Sequence, residues 1–208
     1  MITVVSTGYA CRTKPVCLMS VQRQRGVEVE HVYQEAAMQV PSKCTLDNLK
    51  EAISKLPKDR IVAWVDGDDW LADRDCLSKV QSLYDHRPET WCSWGSYMCS
   101  NGEPGISGPY ASLAYRKEPW LASHLKTFRA GLFQRAASRL EDLKGAATDM
   151  LVMLPMLEMS GREHGVYVQD LLYIYHQPSA ADPKRRAREL EAEAVIRAQT
   201  PFEPLKDL

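Results

Sequence analysis

The sequence predicts an α/β sandwich organised around a mainly parallel sheet. Three observations carry this expectation. Compact β-branched runs alternate along the chain with stretches whose apolar residues recur at helical spacing. The run at residues 61–65 is apolar throughout and that at 2–6 nearly so, as buried strands require. The chain has 208 residues, 45% of them hydrophobic and 25% charged, a composition that one ordinary globular domain accommodates.

Each element follows in order. Residues 2–6 form a first strand and Thr7-Gly8 the turn after it. Residues 27–32 alternate apolar and polar, a second strand. Asp47-Asn48 offers an N-cap for a helix through Leu56, with Leu49, Ala52, Ile53 and Leu56 on one face. Pro57 stops it. Residues 61–65 make a third strand that ends abruptly at Asp66-Gly67-Asp68-Asp69. A helix over 73–84 turns Leu77, Val80, Leu83 and Tyr84 inward, and 91–98 is a strand. Residues 100–119 hold Gly102, Pro104, Gly105, Gly108 and Pro109, an irregular stretch long enough to serve a function. Helical patterns cover 121–140 and 148–159, with Gly161 as a C-cap. Residues 166–175 form a last strand and 182–199 a charged helix.

Charge and hydropathy exclude several classes. Lys plus Arg number 26 and Asp plus Glu 27, a formal net charge of −1, so the chain is no uniformly basic nucleic-acid coat. No apolar run approaches the ~20 residues that span a bilayer, so no membrane partner is expected. The first residues lack the basic-then-apolar pattern of a secretory leader, which predicts a cytoplasmic protein with reduced cysteines. The six cysteines form no C-x-x-C pair and no zinc pattern, and read as small buried hydrophobes.

The acidic tetrad carries the chemistry. Asp66, Asp68 and Asp69 lie directly behind a buried strand, and open α/β sheets bind ligands outside the carboxyl ends of their strands. Three carboxylates within four residues repel one another unless a cation neutralises them. Oxygen ligands without sulfur suit Mg²⁺ or Mn²⁺, which complete their coordination with substrate phosphates. Gly67 lets the backbone turn between the acids. The competing reading is a solvated acidic turn in which Asp69 caps the next helix. The sequence has neither of the two glycine-rich phosphate loops, so a metal bridge is the natural route to a diphosphate.

Residues 62–71, Val-Ala-Trp-Val-Asp-Gly-Asp-Asp-Trp-Leu, resemble the D-x-D segment of family 2 glycosyltransferases with the GT-A fold. The resemblance extends to Asn48–Ile53, His124–Arg129, Thr148-Asp149-Met150 with Pro155–Gly161, and Leu171–His176, and so spans nearly the whole chain. It implies a single GT-A-like catalytic domain of the compact phage type. Residues 1–99 would bind the nucleotide sugar, 100–181 would form the acceptor side, and 182–208 a charged helix and tail. It implies transfer of a hexose or pentose from a nucleotide-diphosphate sugar, UDP foremost, to a hydroxyl, with inversion and with Mn²⁺ or Mg²⁺.

By that resemblance Thr7 and Tyr9 border the nucleotide, and Asp66 and Asp68 hold the ribose and diphosphate. Asp68 and Asp69 lie nearest the metal, with His176 as a further ligand; a structural role for that histidine is the alternative. The family's acidic pair for the uridine is missing at Tyr33-Gln34-Glu35, leaving Glu35 as its substitute. Asp149 is the general base, with Thr148 where the family has Glu. A plain helix N-cap is the competing reading of this pair, and Glu158 is the second base in rank. His124, Arg129 and Trp120 line the acceptor side, His124 with Lys126 and Arg129 positioned to meet phosphate, while core packing is the favoured alternative for Trp120.

For the acceptor, Lys184-Arg185-Arg186-Ala187-Arg188 offers either a salt-bridged helix face or a patch for DNA phosphates. Resemblance to phage enzymes puts a 5-hydroxymethylpyrimidine in DNA first, its base flipped out against Trp120, Tyr110 or Tyr115. A surface glycan or a protein hydroxyl follows. A nucleotidyltransferase and a non-catalytic sugar-nucleotide-binding module are the rival readings.

Overall fold

The computed structural model describes residues 1–8, 12–35, 45–143, 146–177 and 183–208. In chain order the elements are β1 (Ile2–Gly8), α1 (Lys14–Gln22), β2 (Val29–Glu35), α2 (Thr45–Ile53), β3 (Ile61–Asp66), β4 (Trp70–Leu71), α3 (Cys76–His86), β5 (Cys92–Cys99), β6 (Lys126–Arg129), α4 (Ala130–Ala137), α5 (Thr148–His164), β7 (Gly165–Tyr175) and α6 (Pro183–Ala198). The strands form one sheet in the order β2-β1-β3-β6-β5-β7-β4.

This is an α/β sandwich, and its sheet is mixed rather than mainly parallel. β1 runs parallel to β2 and β3, and β5 parallel to β7, but β6 lies antiparallel between β3 and β5, and β4 antiparallel to β7. The reversal has a simple cause. β5 ends at the edge where β3 ends, the irregular stretch from residue 100 onward stays there, and the chain re-enters the sheet by running back. The first residue of β6, Lys126, is thereby paired with Trp64 near the carboxyl end of β3.

Side-chain alternation along the strands divides the core into two clusters. Val5, Val62, Trp64, Cys92, Trp94 and Phe128 pack on one face with α2, α4, α5 and Ile196 of α6. Val4, Ala63, Val65, Leu125 and Tyr173 pack on the other with α1 and α3. Cys17, Cys76 and Cys92 are buried thiols and Cys99 is half-buried, while Cys11 and Cys44 lie outside the described residues.

Three expectations change. Residues 126–129 are a strand rather than the start of a helix over 121–140. They pair on both sides, and their polar Lys-Thr-Arg content conceals the strand. α1 and β4 are elements the apolar pattern did not reveal. α2 begins at Thr45, so Asp47 and Asn48 lie inside it rather than capping it. α5 is buried around almost its whole circumference and has no apolar stripe. Its helical geometry breaks at Gly161, where φ is +58°, in keeping with the expected C-cap.

Candidate active site

The parallel pairing of β2, β1 and β3 brings Glu35, Thr7 and Asp66 to one edge. Thr7 is in register with Asp66, and Gly8 with Glu35. The turn after β3 folds back on this edge, the Gly67 amide donating to the Thr7 carbonyl at 2.9 Å. Gly67 is needed for this close approach rather than for an unusual backbone angle. A Cβ there would lie 2.6 Å from Tyr33 Oη and 3.0 Å from Gly8 Cα.

Beyond the turn the three aspartates separate. Asp68 is exposed. Asp69 is 1% exposed, and both its oxygens are engaged: Oδ2 accepts from Tyr173 Oη at 2.7 Å and Oδ1 from the His176 amide at 2.7 Å. Tyr173 Oη in turn accepts from the Asp66 amide at 3.0 Å. Asp69 therefore ties β3 to β7. It caps no helix, because α3 starts only at Cys76. Burial, then repulsion from Asp66 and Asp68, pushes the Asp69 carboxyl up to about 8.

Asp66 faces a pocket closed by β6 and α5. Lys126, 0% exposed, places its ammonium 2.9 Å from Asp149 Oδ1, 3.6 Å from Asp66 Oδ2 and 4.0 Å from the centre of the Trp64 ring. His124 lies between the same carboxylates, Nδ1 3.8 Å from Asp66 and Nε2 3.8 Å from Asp149. Its ring stacks on Tyr173 at 4.5 Å and meets the edge of Tyr97 at 5.3 Å. Burial, then the Lys126 charge, holds the imidazole down at about 3, so it is neutral. Burial pushes Asp66 up to about 6, against the pull of Lys126 and with the push of Asp149 and Asp68. Burial would raise Asp149 as well, but the Lys126 charge overcomes it and holds this carboxyl below the usual range.

Asp149 stands in the first turn of α5, where the helix dipole favours an ionised carboxylate. The helix is capped by Ala147 with no side-chain cap bond, so the N-cap reading of Thr148 and Asp149 does not hold. The site thus unites Thr7, Glu35, Asp66, Asp68, His124 and Asp149, with Asp69 and His176 bound to each other on its β7 side. Tyr9 lies outside the described residues.

Other expected residues lie elsewhere. Arg129 pairs with Ile61 at the opposite end of β3, and its guanidinium donates to the carbonyls of Asp59, Pro88 and Thr90. Trp120 packs half-buried against the core, Tyr115 is buried, and Tyr110 Oη accepts from the Leu121 and Ala122 amides. Glu158 is paired with Arg116, away from the acidic turn. Sequence reasoning offered Lys126 only as a phosphate contact beside His124 and Arg129, whereas it lies buried between two carboxylates, and gave no role to Tyr97 or Tyr173.

A divalent ion fits the chemistry of this edge. Burial first, then repulsion from neighbouring carboxylates, raises the pKa values of Asp66 and Asp69, the mark of crowded acids, and Asp68 presents an open carboxylate beside them. Ligand atoms of Asp66, His124 and Asp149 also lie within 4.8 Å of one another.

No family model matches the chain, and no curated protein matches it. Solved structures do. S. aureus TarS is similar with a TM-score of 0.66 and 15% identity over 94% of this chain and 39% of that one. Its 1–349 fragment in complex with UDP-GlcNAc gives a TM-score of 0.66 and 15% identity, over 94% of this chain and 66% of the fragment. The mannosyltransferase PcManGT from Pyrobaculum calidifontis, in complex with GDP-Man and Mn²⁺, gives 0.58 and 15%, over 96% of this chain and 65% of that one. The chain spans about two fifths of the TarS structure and about two thirds of the other two. The fold is therefore the GT-A-like fold of glycosyltransferase structures. Among the described residues no helix is long and apolar enough to cross a membrane.

Proposed function

We propose that the chain is a glycosyltransferase that moves a sugar from a nucleotide-diphosphate donor to a hydroxyl, with inversion at the sugar carbon. The observation that supports this most is the convergence of Asp149, from the start of α5, on the acidic edge behind β3. One fold edge then carries both an open carboxylate for a metal–diphosphate and an ionised carboxylate across the pocket from it.

Thr7, Glu35 and Asp66 border the nucleotide, and the buried Thr7 hydroxyl has no hydrogen-bond partner among the described residues, leaving it for a ligand. Tyr9 adjoins Thr7 in the sequence. Asp68 holds Mn²⁺ or Mg²⁺, with His176 beside it; the ion supplies positive charge that stabilises the departing diphosphate. Asp69 orients this edge through Tyr173 and His176 instead of binding the ion. Asp149 accepts the proton of the attacking hydroxyl, and neutral His124 lines the acceptor pocket. UDP is the first donor nucleotide, since a structure of this fold binds UDP-GlcNAc. A 5-hydroxymethylpyrimidine in DNA is the first acceptor. In the exposed Lys184–Arg188 run Arg185 and Arg186 pair with Glu189, as a salt-bridged helix face would, and the run supports DNA only through its excess of positive charge, with Arg185 also in electrostatic reach of Asp68 and Tyr175.

The test incubates the protein with Mn²⁺, a panel of nucleotide sugars, and DNA with or without hydroxymethyl pyrimidines. Released nucleoside diphosphate and the mass of digested nucleosides are read. A hexose or pentose increment confirms the DNA acceptor. Nucleoside diphosphate released only with glycan or protein acceptors replaces it. Pyrophosphate from a nucleoside triphosphate shows a nucleotidyltransferase, and donor binding without turnover a binding module.

A further inference from the structure

The ligand atoms of Asp66, His124 and Asp149 are spaced as a metal centre would space them, yet the same pocket already contains a cation. We propose that the Lys126 ammonium is the resident cation of the Asp66–His124–Asp149 pocket and excludes a divalent ion from it.

Lysine is among the residues least often fully buried, and Lys126 is 0% exposed. Its ammonium replaces lost hydration with Asp149 at 2.9 Å, Asp66 at 3.6 Å and the face of Trp64 at 4.0 Å. The charge of the two carboxylates overcomes the cost of burial and keeps the lysine protonated. The backbone holds it in place, since Lys126 is in register with Trp64 on one side and Trp94 on the other. An ion liganded by the triad would have to share Asp66 and Asp149 with this ammonium. Two cations that close, in a poorly solvated pocket, weaken binding by at least about 100-fold. Asp68, exposed on the outer side of the turn, has no such lysine beside it among the ion pairs of the described residues. Divalent ions therefore bind outside this pocket, and a neutral His124 remains as a hydrogen-bonding ring rather than a ligand.

The experiment follows the imidazole nitrogen resonances of ¹⁵N-histidine-labelled protein during titration with Zn²⁺, which is diamagnetic. The chain has five histidines, and a His124→Asn variant identifies the relevant signal. In the wild type, equimolar Zn²⁺ is expected to leave the His124 nitrogens unmoved. In Lys126→Met, which keeps the length and removes the charge, Zn²⁺ is expected to shift them and to bind at least about 100-fold more tightly. Ligation of His124 in the wild type overturns the proposal, and this arm needs only the His124→Asn variant, for assignment. A folded Lys126→Met protein with no gain in Zn²⁺ affinity also overturns it. As a second measurement, Lys126→Met is expected to lower Tm by about 10 °C in the wild type and by less in an Asp149→Asn background. Equal losses in both backgrounds would refute the ion pair. None of these readouts uses sugar transfer, so their failure is distinguishable from failure of the proposed function.

Discussion

Gly67 sits where β1 and β3 leave the sheet together, and the absence of a side chain lets the turn close on Gly8. A Cβ would meet Gly8 Cα at 3.0 Å and the Thr7 carbonyl at 3.1 Å, backbone atoms that cannot move aside alone. Gly67→Ala should cost about 1–3 kcal/mol, seen as a lowered midpoint in denaturant with unchanged slope. An unaltered midpoint would show that the strands separate freely. The neighbouring Asp69 gives a second residue-scale prediction. Its carboxyl, pushed up to about 8 in the fold, has an ordinary value near 3.8 when unfolded. Between those values the folded state binds the extra proton, so stability falls as pH rises. Asp66, raised to about 6, acts in the same sense below pH 6, and His124, lowered to about 3, opposes both below 6.5. From about pH 6.5 to 8 Asp69 alone of the three still titrates. There, in metal-free buffer, unfolding free energy should fall by up to about 1.4 kcal/mol per pH unit. Asp69→Asn should flatten that slope in denaturant titrations at successive pH values. The presence of an acidic cluster was legible in the sequence. That one aspartate turns inward to β7 while the next faces solvent was not, because alternation in a turn depends on what packs against it.

At the scale of elements, β6 and α5 build the inner half of the site. β6 contributes Lys126 from a strand too short and too polar to announce itself, and α5 contributes Asp149 from a buried first turn. Asp149→Asn should leave donor affinity within a few-fold and reduce turnover by at least ~10², as expected for a lost general base. Asp68→Ala should do the reverse, weakening metal-dependent donor binding before it affects the chemical step. Calorimetric donor titration beside initial rates separates the two, and matched losses in both variants would dissolve the division of roles. Asp149 was identifiable from the order of motifs along the chain. The place of Lys126 was not, because residues 121–140 read as a helix in which this lysine offered only a phosphate contact, and its strand pairing on both sides is what makes it central.

Across the whole molecule, one buried ion pair fastens the irregular stretch after β5 to the helical layer. Arg116 and Glu158 are 8% and 6% exposed, and Glu158 Oε2 also accepts the Phe202 amide at 3.0 Å. Arg197 of α6 adds bonds to the carbonyls of Arg116 and Glu118. Glu158→Ala strands a buried guanidinium and should cost about 3–5 kcal/mol, read as a lower Tm. Loss of stability below about 1 kcal/mol would mean that the segment is held by its apolar contacts. The amino-acid order alone specified the alternating elements, the place of the acidic turn behind a buried strand, and the helix that begins at Thr148. All of these are local, written in periodicity, turn chemistry and residue type. The packing of the folded chain settled the direction of β6, the burial of Asp69 and the meeting of Lys126 with Asp66 and Asp149. Those depend on contacts between residues about 20 to 110 positions apart, and the energy of burying a charge is set by its neighbours in space rather than in the chain.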